Sequence, residues 1–269
     1  MKLINVNDIY KKLCGQIIQY GEQIGNTREL INVIVQHFNI DDNIVSCRTN
    51  LTYLLGELIW YFAGSNDLTF INKFSKFWNE ISDNGKTSNS AYGDIIFNRY
   101  GFNQFDKIVE LLQKDKYSRR AVINFNVPNK NVIETKDEIC TIALQFFVRD
   151  EKLHCTAMMR SNDIYTGFPY DITFFTTLQK LIADKLKCKY GSYTHVVTSM
   201  HLYDKNFDKV LKLVKENKLY NKYKIDHQRL YEDAKFLYDM IMDNVLKKEE
   251  LVQACINRKI LLEVEKYDN

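Results

Sequence analysis

The chain has few of the residues that mark flexible linkers, membrane spans or secretion. Its 269 residues include only two prolines and ten glycines, and they contain no low-complexity tract or internal repeat. The start of the sequence has no signal-peptide pattern, and no apolar run approaches the roughly 18 residues that a membrane span needs. We therefore expect a single domain over residues 1–269, located in the cytoplasm and without membrane contact.

Paired cysteines and a strong charge are also missing. The six cysteines lie at positions 14, 47, 140, 155, 188 and 255, with no Cys-x-x-Cys spacing, so we expect reduced thiols and no bound metal. The net charge of +3 does not by itself indicate nucleic acid or a membrane surface, although a small anionic ligand needs only a few local cations. Apolar residues make up 45% of the chain, which is enough for a sizeable core.

The periodicity of apolar residues predicts a mixture of helices and strands. Helices are predicted over residues 2–22, 50–63, 68–81, 104–114 and 172–187, with a polar loop over 83–93. Strands are predicted over residues 29–38, 121–127, 141–149, 152–159 and 193–200, with a hairpin turn at 150–152. Residues from 205 to about 265 indicate a C-terminal extension of helices rich in Lys and Glu. The predicted class is α+β, with one large mixed sheet, packed helices and a helical C-terminal tail.

Residues 138–172 form a short segment between strand patterns in which a thiol, a guanidinium and two acids are concentrated. A lone cysteine at the start of an apolar strand, such as Cys140, is usually buried and inert. Three arginines could lie near its sulfur and stabilise the nucleophilic thiolate: Arg119, Arg120 and Arg160. Cys155 lies in the middle of a strand among apolar neighbours, and we interpret it as structural.

Several other residues allow two interpretations from the pattern alone. Glu57 is either a proton-handling acid buried in an apolar helix or an acid on that helix's polar edge. Arg28 is either a solvated charge or a ligand contact. Arg119 and Arg120 are either surface charges or a clamp for an oxyanion. Trp78 is either a core residue, as most aromatic residues in helices are, or a platform for a ligand.

Beyond these single residues, a series of motifs occurs in a characteristic order and spacing. The motifs are Glu57 in ELIWYF, Trp78, Tyr92-Gly93, Ser118-Arg119-Arg120, Cys140-Thr141-x-x-x-Gln145-Phe146, Arg160-Ser161-x-Asp163, Gly167-x-Pro169 and His201-Leu202-Tyr203. Over roughly residues 50–207, their joint order resembles the thymidylate synthase family. The resemblance implies a thymidylate synthase-like fold, a pyrimidine nucleoside monophosphate as substrate, 5,10-methylenetetrahydrofolate as co-substrate, and a homodimer.

The same resemblance implies roles for the matching positions. Cys140 resembles the nucleophile that adds to C6 of the pyrimidine, and Glu57 and Tyr92 resemble the groups that manage protons around the ring. The positions that resemble ligands of the substrate phosphate and sugar are Arg160, Ser161 and Asn162, Arg28 as a further phosphate ligand, Arg119 and Arg120 reaching the neighbouring subunit's phosphate, and His201 and Tyr203 at the 3′-hydroxyl. The positions on the folate side are Asp163, Trp78 and Gly167.

One departure from the family pattern bears on the choice of base. Asp171 stands where thymidylate synthases have an asparagine, whose amide both donates to and accepts from uracil. An ionised carboxylate only accepts. Cytosine offers a 4-amino donor and an unprotonated N3, so a carboxyl group can accept from the first and share a proton with the second. Asp171 therefore indicates a cytosine nucleotide.

Further departures bear on the product. The family's Pro-Cys-His is Ile139-Cys140-Thr141 here, a second tryptophan is replaced by Ile81, and the closing C-terminal segment has no counterpart in LLEVEKYDN. The Cys-Thr, Arg-Ser-Asn-Asp and Asn-Ser-x-Tyr-Gly motifs and the aspartate are similar to those of the phage deoxycytidylate hydroxymethylases. A looser closure over folate would let water, rather than hydride, complete the product. The prediction is therefore a dCMP 5-hydroxymethylase.

Three alternatives stay open at this stage. The enzyme could methylate dUMP or dCMP, or it could hydroxymethylate CMP, because no motif shows what excludes a 2′-hydroxyl. A non-catalytic family member could instead bind RNA or a protein partner through a basic tail. The lysines of that tail are Lys205, Lys209, Lys212, Lys215, Lys218, Lys222 and Lys224.

Overall fold

A mixed sheet forms the centre of the computed structural model, which describes residues 5–36, 39–129, 131–216, 218 and 220–264. The strands of this sheet are β1 (Glu22–Ile24), β2 (Thr27–Val35), β3 (Val122–Asn124), β4 (Thr141–Arg149), β5 (Lys152–Asp163) and β6 (Lys189–Tyr203). They lie in the order β1-β2-β6-β5-β4-β3. The β5–β6 pair is parallel and the other pairs are antiparallel, which confirms the predicted mixed sheet.

The helices cover one face of the sheet and continue into the C-terminal part. They are α1 (Val6–Tyr20), α2 (Leu51–Phe62), α3 (Leu68–Ile71), α4 (Phe77–Ile81), α5 (Tyr92–Phe97), α6 (Gln104–Lys114), α7 (Phe168–Lys185), α8 (Phe207–Lys215), α9 (His227–Met242) and α10 (Leu251–Asn257). Asparagine side chains cap the N-termini of α1, α2 and α6 by accepting from backbone N–H groups of the first turn. These caps explain why α2 and α6 begin within one residue of their predicted starts. The helix predicted over 2–22 begins only at Val6, and residues 2–4 of that prediction lie outside the described part of the chain.

The strands β4 and β5 form the predicted hairpin. Its turn contains Asp150 and Glu151, with φ angles of 50° and 59°. A two-residue turn needs such left-handed conformations to match the twist of the strands. The chain then leaves β5, forms α7 and returns as the parallel strand β6, so these three elements place one helix directly against the middle of the sheet.

Both β5 and β6 bend at the same level. Residues three apart in a regular strand face opposite sides of the sheet. Here Met159 and Asn162 are both buried, and so are their neighbours on β6, Val197 and Met200. The alternation therefore slips in both strands, and Asn162 turns towards the helical side of the sheet.

Two helices form the interior of the helical layer. On α7, Phe174 and Phe175 are fully buried, and their rings lie 5.9 and 5.4 Å from the ring of Tyr92. The second helix, α2, is buried continuously from Leu54 to Phe62. Because Glu57 lies inside that run, its carboxyl group is held within the core rather than on a polar edge.

The helix predicted over residues 68–81 is wrong, because the chain breaks into α3 and α4. The ring of Phe74 packs against Gly56, where an added Cβ would come within 2.7 Å of it. Ser75 then accepts a hydrogen bond from the backbone of Phe77 and starts the next helix. A close contact with another helix therefore overrides the apolar period of this segment.

Two helices begin earlier than their patterns indicate. The helix predicted from residue 172 starts at Phe168, because Pro169 fits in its first turn, where a backbone N–H has no intrahelical partner. Asp171 consequently lies in the first turn of α7. Similarly, Tyr92 opens α5 instead of ending the preceding loop. Both side chains are thus held by helical backbone.

The C-terminal part is mainly helical, as predicted, but it also contains two paired strands, β7 (Lys222–Ile225) and β8 (Leu261–Val264). Most of the final segment LLEVEKYDN, from residue 265 onwards, lies outside the described residues. All six cysteines are free thiols. Among the described residues, no helix is long and apolar enough to cross a membrane.

Candidate active site

The candidate nucleophile lies where β4 begins. Cys140 directly precedes Thr141, and its carbonyl oxygen accepts a hydrogen bond from the backbone N–H of Arg160 at 2.9 Å. The thiol is half-buried, and its nearest backbone acceptor is the carbonyl of Glu138, at 3.9 Å. The sulfur is therefore fixed by two strands and stays accessible to a ligand.

Arg160 is the arginine that accompanies this sulfur. Its Nη2 lies 3.7 Å from Sγ of Cys140 and also donates to the carbonyl of Glu138 at 2.7 Å. Its Nε donates to the carbonyl of Ile139 at 3.0 Å. Burial raises the pKa of the Cys140 thiol, and the positive charge of Arg160 opposes that rise. The thiol is therefore protonated at rest, beside a cation that favours its thiolate.

The expectation that Arg119 and Arg120 could lie near Cys140 is wrong within one chain. Both are exposed and precede β3, on the far side of β4. The carbonyl of Arg119 accepts a hydrogen bond from Gln145, five residues along β4 from Cys140. A strand advances about 3.3 Å per residue, which separates the two positions by roughly 17 Å. The position of this pair beside Gln145 thus keeps it apart from the chain's own thiol.

Asp171 lies at the centre of a hydrogen-bond network next to the thiol. Its Oδ2 accepts from Nδ2 of Asn162 at 2.7 Å, and its Oδ1 accepts from the hydroxyl of Tyr92 at 3.1 Å. Thr141, the residue after Cys140, donates to the same tyrosine oxygen at 2.8 Å. Burial raises the pKa of Asp171 to about 7, and the two donors partly oppose the rise. Near neutral pH this carboxyl group can therefore hold or release a proton.

A second acid lies behind Asp171, on α2. The carboxyl of Glu57 accepts from the hydroxyl of Tyr53 at 2.6 Å, and the hydroxyl of Tyr61 lies 3.5 Å from the same oxygen. Burial raises the pKa of Glu57 to about 8, the bond from Tyr53 opposes this, and the charge of Asp171 adds to it. Of the two interpretations of Glu57, the structure favours the buried acid.

The residues predicted for the phosphate and sugar line the ends of β5, β6 and β2. Ser161 Oγ lies 3.4 Å from Nδ1 of His201, and the ring of Tyr203 meets that histidine edge-on at 5.2 Å. Arg28 donates to the carbonyl of Ile18 at 3.0 Å and lies 4.4 Å over the ring of Phe207. The structure thus brings Ser161, His201 and Tyr203 together. The guanidinium of Arg28, in contrast, already contacts groups of its own chain.

The predicted folate residues form a separate flank of the site. Asp163 accepts from the backbone of Tyr165 at 2.8 Å and from the hydroxyl of Thr166, so its carboxyl is fixed by a turn. Trp78 is only 7% exposed, and its Nε1 donates to Tyr53 at 3.0 Å. Through Tyr53, which donates to Glu57, the indole of Trp78 is therefore connected to the acid of α2.

Gly167 and Arg48 complete this flank. An added Cβ at Gly167 would lie 2.9 Å from Nδ2 of Asn162 and 3.3 Å from Oδ2 of Asp171. Arg48 stacks 3.8 Å over the ring of Tyr165, and its buried Nε has no hydrogen-bond partner within the described structure. A carboxylate fixed by a turn and a nearby guanidinium suit a heterocycle with N–H donors and an anionic group, which fits methylenetetrahydrofolate. Among the described residues, no group of three or more metal-ligating side chains is found.

Sequence reasoning missed an acid that anchors the loop before the site. Asp137 is 3% exposed and accepts from Ser88 Oγ at 2.7 Å, from the backbone of Asn89 at 2.7 Å, and from Ser90. It ties residues 88–90 to the segment that leads into Cys140. Its only sequence signal is an acid three residues before the candidate nucleophile.

Tyrosines around the acids were also missed. Tyr53 and Tyr61 precede and follow Glu57 by four residues, a spacing that places all three on one face of α2 and could have been noticed.

A buried histidine was missed as well. His195 lies 3.1 Å from Oδ1 of Asn162 and is fully buried. No local pattern marks it, because the contact depends on the bend of β5 and β6.

Comparison with known proteins adds to this geometry. The thymidylate synthase family model matches residues 8–249. The chain is 28% identical over 193 residues to deoxycytidylate 5-hydroxymethyltransferase of Enterobacteria phage T4, and those residues cover 66% of this chain and 77% of the relative. It is also 29% identical over 167 residues to deoxyuridylate hydroxymethyltransferase of Bacillus phage SP01, covering 57% of this chain and 44% of that relative.

Proposed function

This chain belongs to the thymidylate synthase family, and from that premise we propose that it hydroxymethylates C5 of deoxycytidylate. Membership makes it a folate-dependent enzyme that transfers a one-carbon unit to C5 of a pyrimidine nucleotide. The proposal adds the base, the sugar and the final reactant. The observation that carries it is the half-buried carboxyl of Asp171, which two protein donors hold as an acceptor.

The hydrogen bonds around Asp171 support selection of cytosine. Asn162 and Tyr92 each occupy one lone pair of the carboxyl, which leaves a further acceptor position on each oxygen. Cytosine can donate from its 4-amino group and share a proton at N3. Addition at C6 raises the basicity of N3, and a pKa near 7 lets Asp171 follow that change. The pairing would strengthen along the reaction.

Cys140 is the proposed nucleophile. Its thiolate adds to C6 of the base, which makes C5 nucleophilic and divides one difficult step into two easier ones. Arg160, 3.7 Å from the sulfur, is proposed to stabilise the thiolate and, together with Ser161, to bind the 5′-phosphate. His201 and Tyr203 are proposed to hold the 3′-hydroxyl, with Arg28 as a more distant phosphate ligand.

Glu57 and Tyr92 are the proposed proton-handling groups. Glu57 has a pKa of about 8, so it can serve as an acid or as a base near neutral pH. Burial raises the pKa of Tyr92 well above its usual range, so its hydroxyl stays protonated and keeps donating to Asp171. Together these two groups would control protons around the ring while Asp171 holds the base.

Methylenetetrahydrofolate supplies the one-carbon unit when bound. We propose that Asp163 accepts from its ring N–H groups, that Trp78 supports the folate side through Tyr53, and that Gly167 keeps the adjoining wall free of a side chain. Arg48, which stacks over the ring of Tyr165 two residues after Asp163, would supply a positive charge to an anionic group of the folate. Water, rather than hydride, as the final reactant is supported by the hydroxymethyltransferase names of both kinds of relative.

A homodimer is the proposed assembly. The outer face of the sheet carries Ile31 and Ile34, which are 70% and 62% exposed, and such an apolar face is a candidate contact surface. Arg119 and Arg120 are exposed and lie apart from their own thiol, which suits a role at the partner's phosphate. We also place the enzyme in the cytoplasm, in keeping with its free thiols.

Mixing two inactive variants tests this assembly. Cys140→Ala lacks the thiol, and Arg120→Ala lacks the proposed contribution to the other site. In a mixed dimer, one site combines an intact thiol with an intact arginine. Random exchange should then restore about one quarter of wild-type activity. No recovery after subunit exchange, or a monomer by light scattering, would contradict the shared site.

A second candidate is hydroxymethylation of deoxyuridylate. The relative from Bacillus phage SP01 carries that name. In its protonated form, below a pH of about 7, Asp171 could donate a hydrogen bond to O4 of uracil. The dUMP:dCMP ratio of kcat/KM should therefore rise as the pH falls.

Product analysis decides between these functions. Purified protein is given methylenetetrahydrofolate with equal dCMP, dUMP and CMP, and the products are identified by mass spectrometry. A hydroxymethyl gain on dCMP, with tetrahydrofolate released, is the expected result. A gain on dUMP selects the second candidate, and a methyl gain with dihydrofolate contradicts water as the final reactant. No product on any nucleotide, with nucleic-acid binding that persists at high salt, would favour a non-catalytic family member.

A further inference from the structure

A chain of hydrogen bonds continues behind Asp171 into the interior. Nε2 of His195 lies 3.1 Å from Oδ1 of Asn162, and Nδ1 of the same imidazole lies 2.7 Å from the hydroxyl of Tyr193. The three side chains are at most 3% exposed. None of them is placed to touch the thiol, so the chain forms a support behind the base-recognising carboxyl.

The chemistry of the groups fixes the direction of every bond. When ionised, Asp171 only accepts, so the Asn162 atom 2.7 Å away must be its amide nitrogen. The amide oxygen then faces His195 and needs a donor, which makes Nε2 the protonated ring nitrogen. Nδ1 is left as an acceptor for the hydroxyl of Tyr193.

The protonation states agree with this direction. Burial lowers the pKa of His195 to about 3, so the imidazole is neutral and carries a single N–H. Burial raises the pKa of Tyr193 well above its usual range, so the phenol remains a donor. A neutral imidazole has two tautomers, and the tyrosine donor selects one of them.

We propose that Tyr193 and His195 form a positioning pair that fixes the amide orientation of Asn162 and thereby keeps Asp171 an acceptor towards the base. This inference rests on the proposed selection of cytosine by Asp171. Without the tyrosine hydroxyl, the imidazole can take its other tautomer, and the amide of Asn162 can turn its oxygen towards Asp171. That arrangement favours a protonated carboxyl whose single O–H donates to Asn162, so this proton can no longer be shared with N3 of cytosine. Discrimination between the two bases should then weaken.

Tyr193→Phe tests the pair with a minimal change of shape. Losing the directing hydrogen bond should lower the dCMP:dUMP ratio of kcat/KM about tenfold. The matched control is Tyr190→Phe on the same strand, because that hydroxyl also makes a hydrogen bond, to Asp184 at 3.0 Å, but outside the chain that leads to Asn162. The control should leave the ratio unchanged.

Rescue and spectroscopy separate positioning from packing. His195→Gln keeps a donor for Asn162 and an acceptor for Tyr193, and it should hold the ratio within about twofold of wild type, whereas His195→Leu should lower it about tenfold. In 15N-histidine NMR of the wild-type enzyme, His195 should be the neutral Nε2–H tautomer. In Tyr193→Phe, the Nδ1–H form should appear.

Several results would overturn the inference. One is an Nδ1–H tautomer in the wild-type enzyme. Another is a wild-type preference for dCMP that persists in Tyr193→Phe and His195→Leu. A wild-type enzyme without any preference between the bases would contradict the proposed function instead, and the tautomer alone would then decide whether His195 orients Asn162.

Discussion

Replacing Asp171 by asparagine should invert the base preference of this enzyme. The variant keeps the size of the side chain, and its amide oxygen can still accept from Nδ2 of Asn162. Its amide nitrogen would face Tyr92, whose hydroxyl can turn and donate to Thr141 instead, 2.8 Å away. The network therefore tolerates the change, but the side chain now offers a donor where the carboxyl offered an acceptor.

The size of the effect follows from the hydrogen bonds that change partners. With dCMP, the 4-amino group and N3 would each lose a matched partner, and each unpaired buried group costs about 1–2 kcal/mol. The dCMP:dUMP ratio of kcat/KM should thus fall by a factor of about 30 to 1,000. The assay is competition, with equal dCMP and dUMP in one reaction and products quantified by mass spectrometry.

Stability supplies a second, independent measurement on the same variant. The pKa of Asp171 is raised from its usual 3.8 to about 7 in the folded protein, so ionisation disfavours the native state. This contribution is absent below pH 3.8 and grows as the pH rises to about 7, up to at most about 4 kcal/mol. In urea unfolding, Asp171→Asn should lack that part of the pH dependence.

A neighbouring acid serves as the control, and one result would refute the argument. Asp163→Asn also replaces a carboxyl by an amide, but on the folate flank, so it should raise the KM for methylenetetrahydrofolate and leave the base ratio unchanged. If Asp171→Asn turns over dCMP and dUMP in the wild-type ratio while its unfolding loses the predicted pH dependence, the carboxyl has been altered without consequence for the base. Selection of cytosine by Asp171 would then be abandoned.

Three further predictions concern the nucleophile, the second acid and the loop anchor. Cys140→Ala should abolish turnover but still bind dCMP, as measured by calorimetry. The control Cys155→Ala changes a buried thiol and should keep turnover. Activity in Cys140→Ala would contradict the covalent mechanism. Glu57→Gln should lower kcat at least about a hundredfold. Because the pKa of Glu57 is raised from 4.5 to about 8, the unfolding free energy of the wild type should decline across that pH range and that of the variant should not. An unchanged pH profile would contradict a buried acid. Asp137→Asn should lower the free energy of unfolding by about 1–3 kcal/mol and speed hydrogen exchange in residues 83–92, because several donors lose their acceptor. The exposed acid Glu110, changed to Gln, should do neither, and equal effects of the two changes would show that Asp137 is no anchor.

Local patterns were sufficient where an element depends on its own residues. The β4–β5 hairpin follows from two alternating runs and a two-residue turn, and α6 follows from its apolar spacing and its asparagine cap. The same patterns failed between residues 68 and 81, because the contact between Phe74 and Gly56 joins residues far apart in the chain. Periodicity describes one element at a time and contains no information about its neighbours.

The candidate site divides in the same way. The order of its motifs placed the chain in its family, and a single letter, Asp171, pointed to the base. The sequence left Glu57 with two interpretations, because an acid in an apolar helix can face either side. The structure decided between them by enclosing α2 almost completely and placing two tyrosine hydroxyls on the carboxyl.

By itself, then, the sequence determined which chemical groups the enzyme has and roughly which elements hold them: the thiol, the guanidinium of Arg160 and the acids. Only the tertiary structure decided how these groups are protonated and paired. It separated Arg119 and Arg120 from the thiol, and through the shared bend of β5 and β6 it brought Asn162 to His195. The physical reason is that a pKa or a hydrogen-bond direction depends on loss of solvent and on nearby charges, which are supplied by residues distant in the chain.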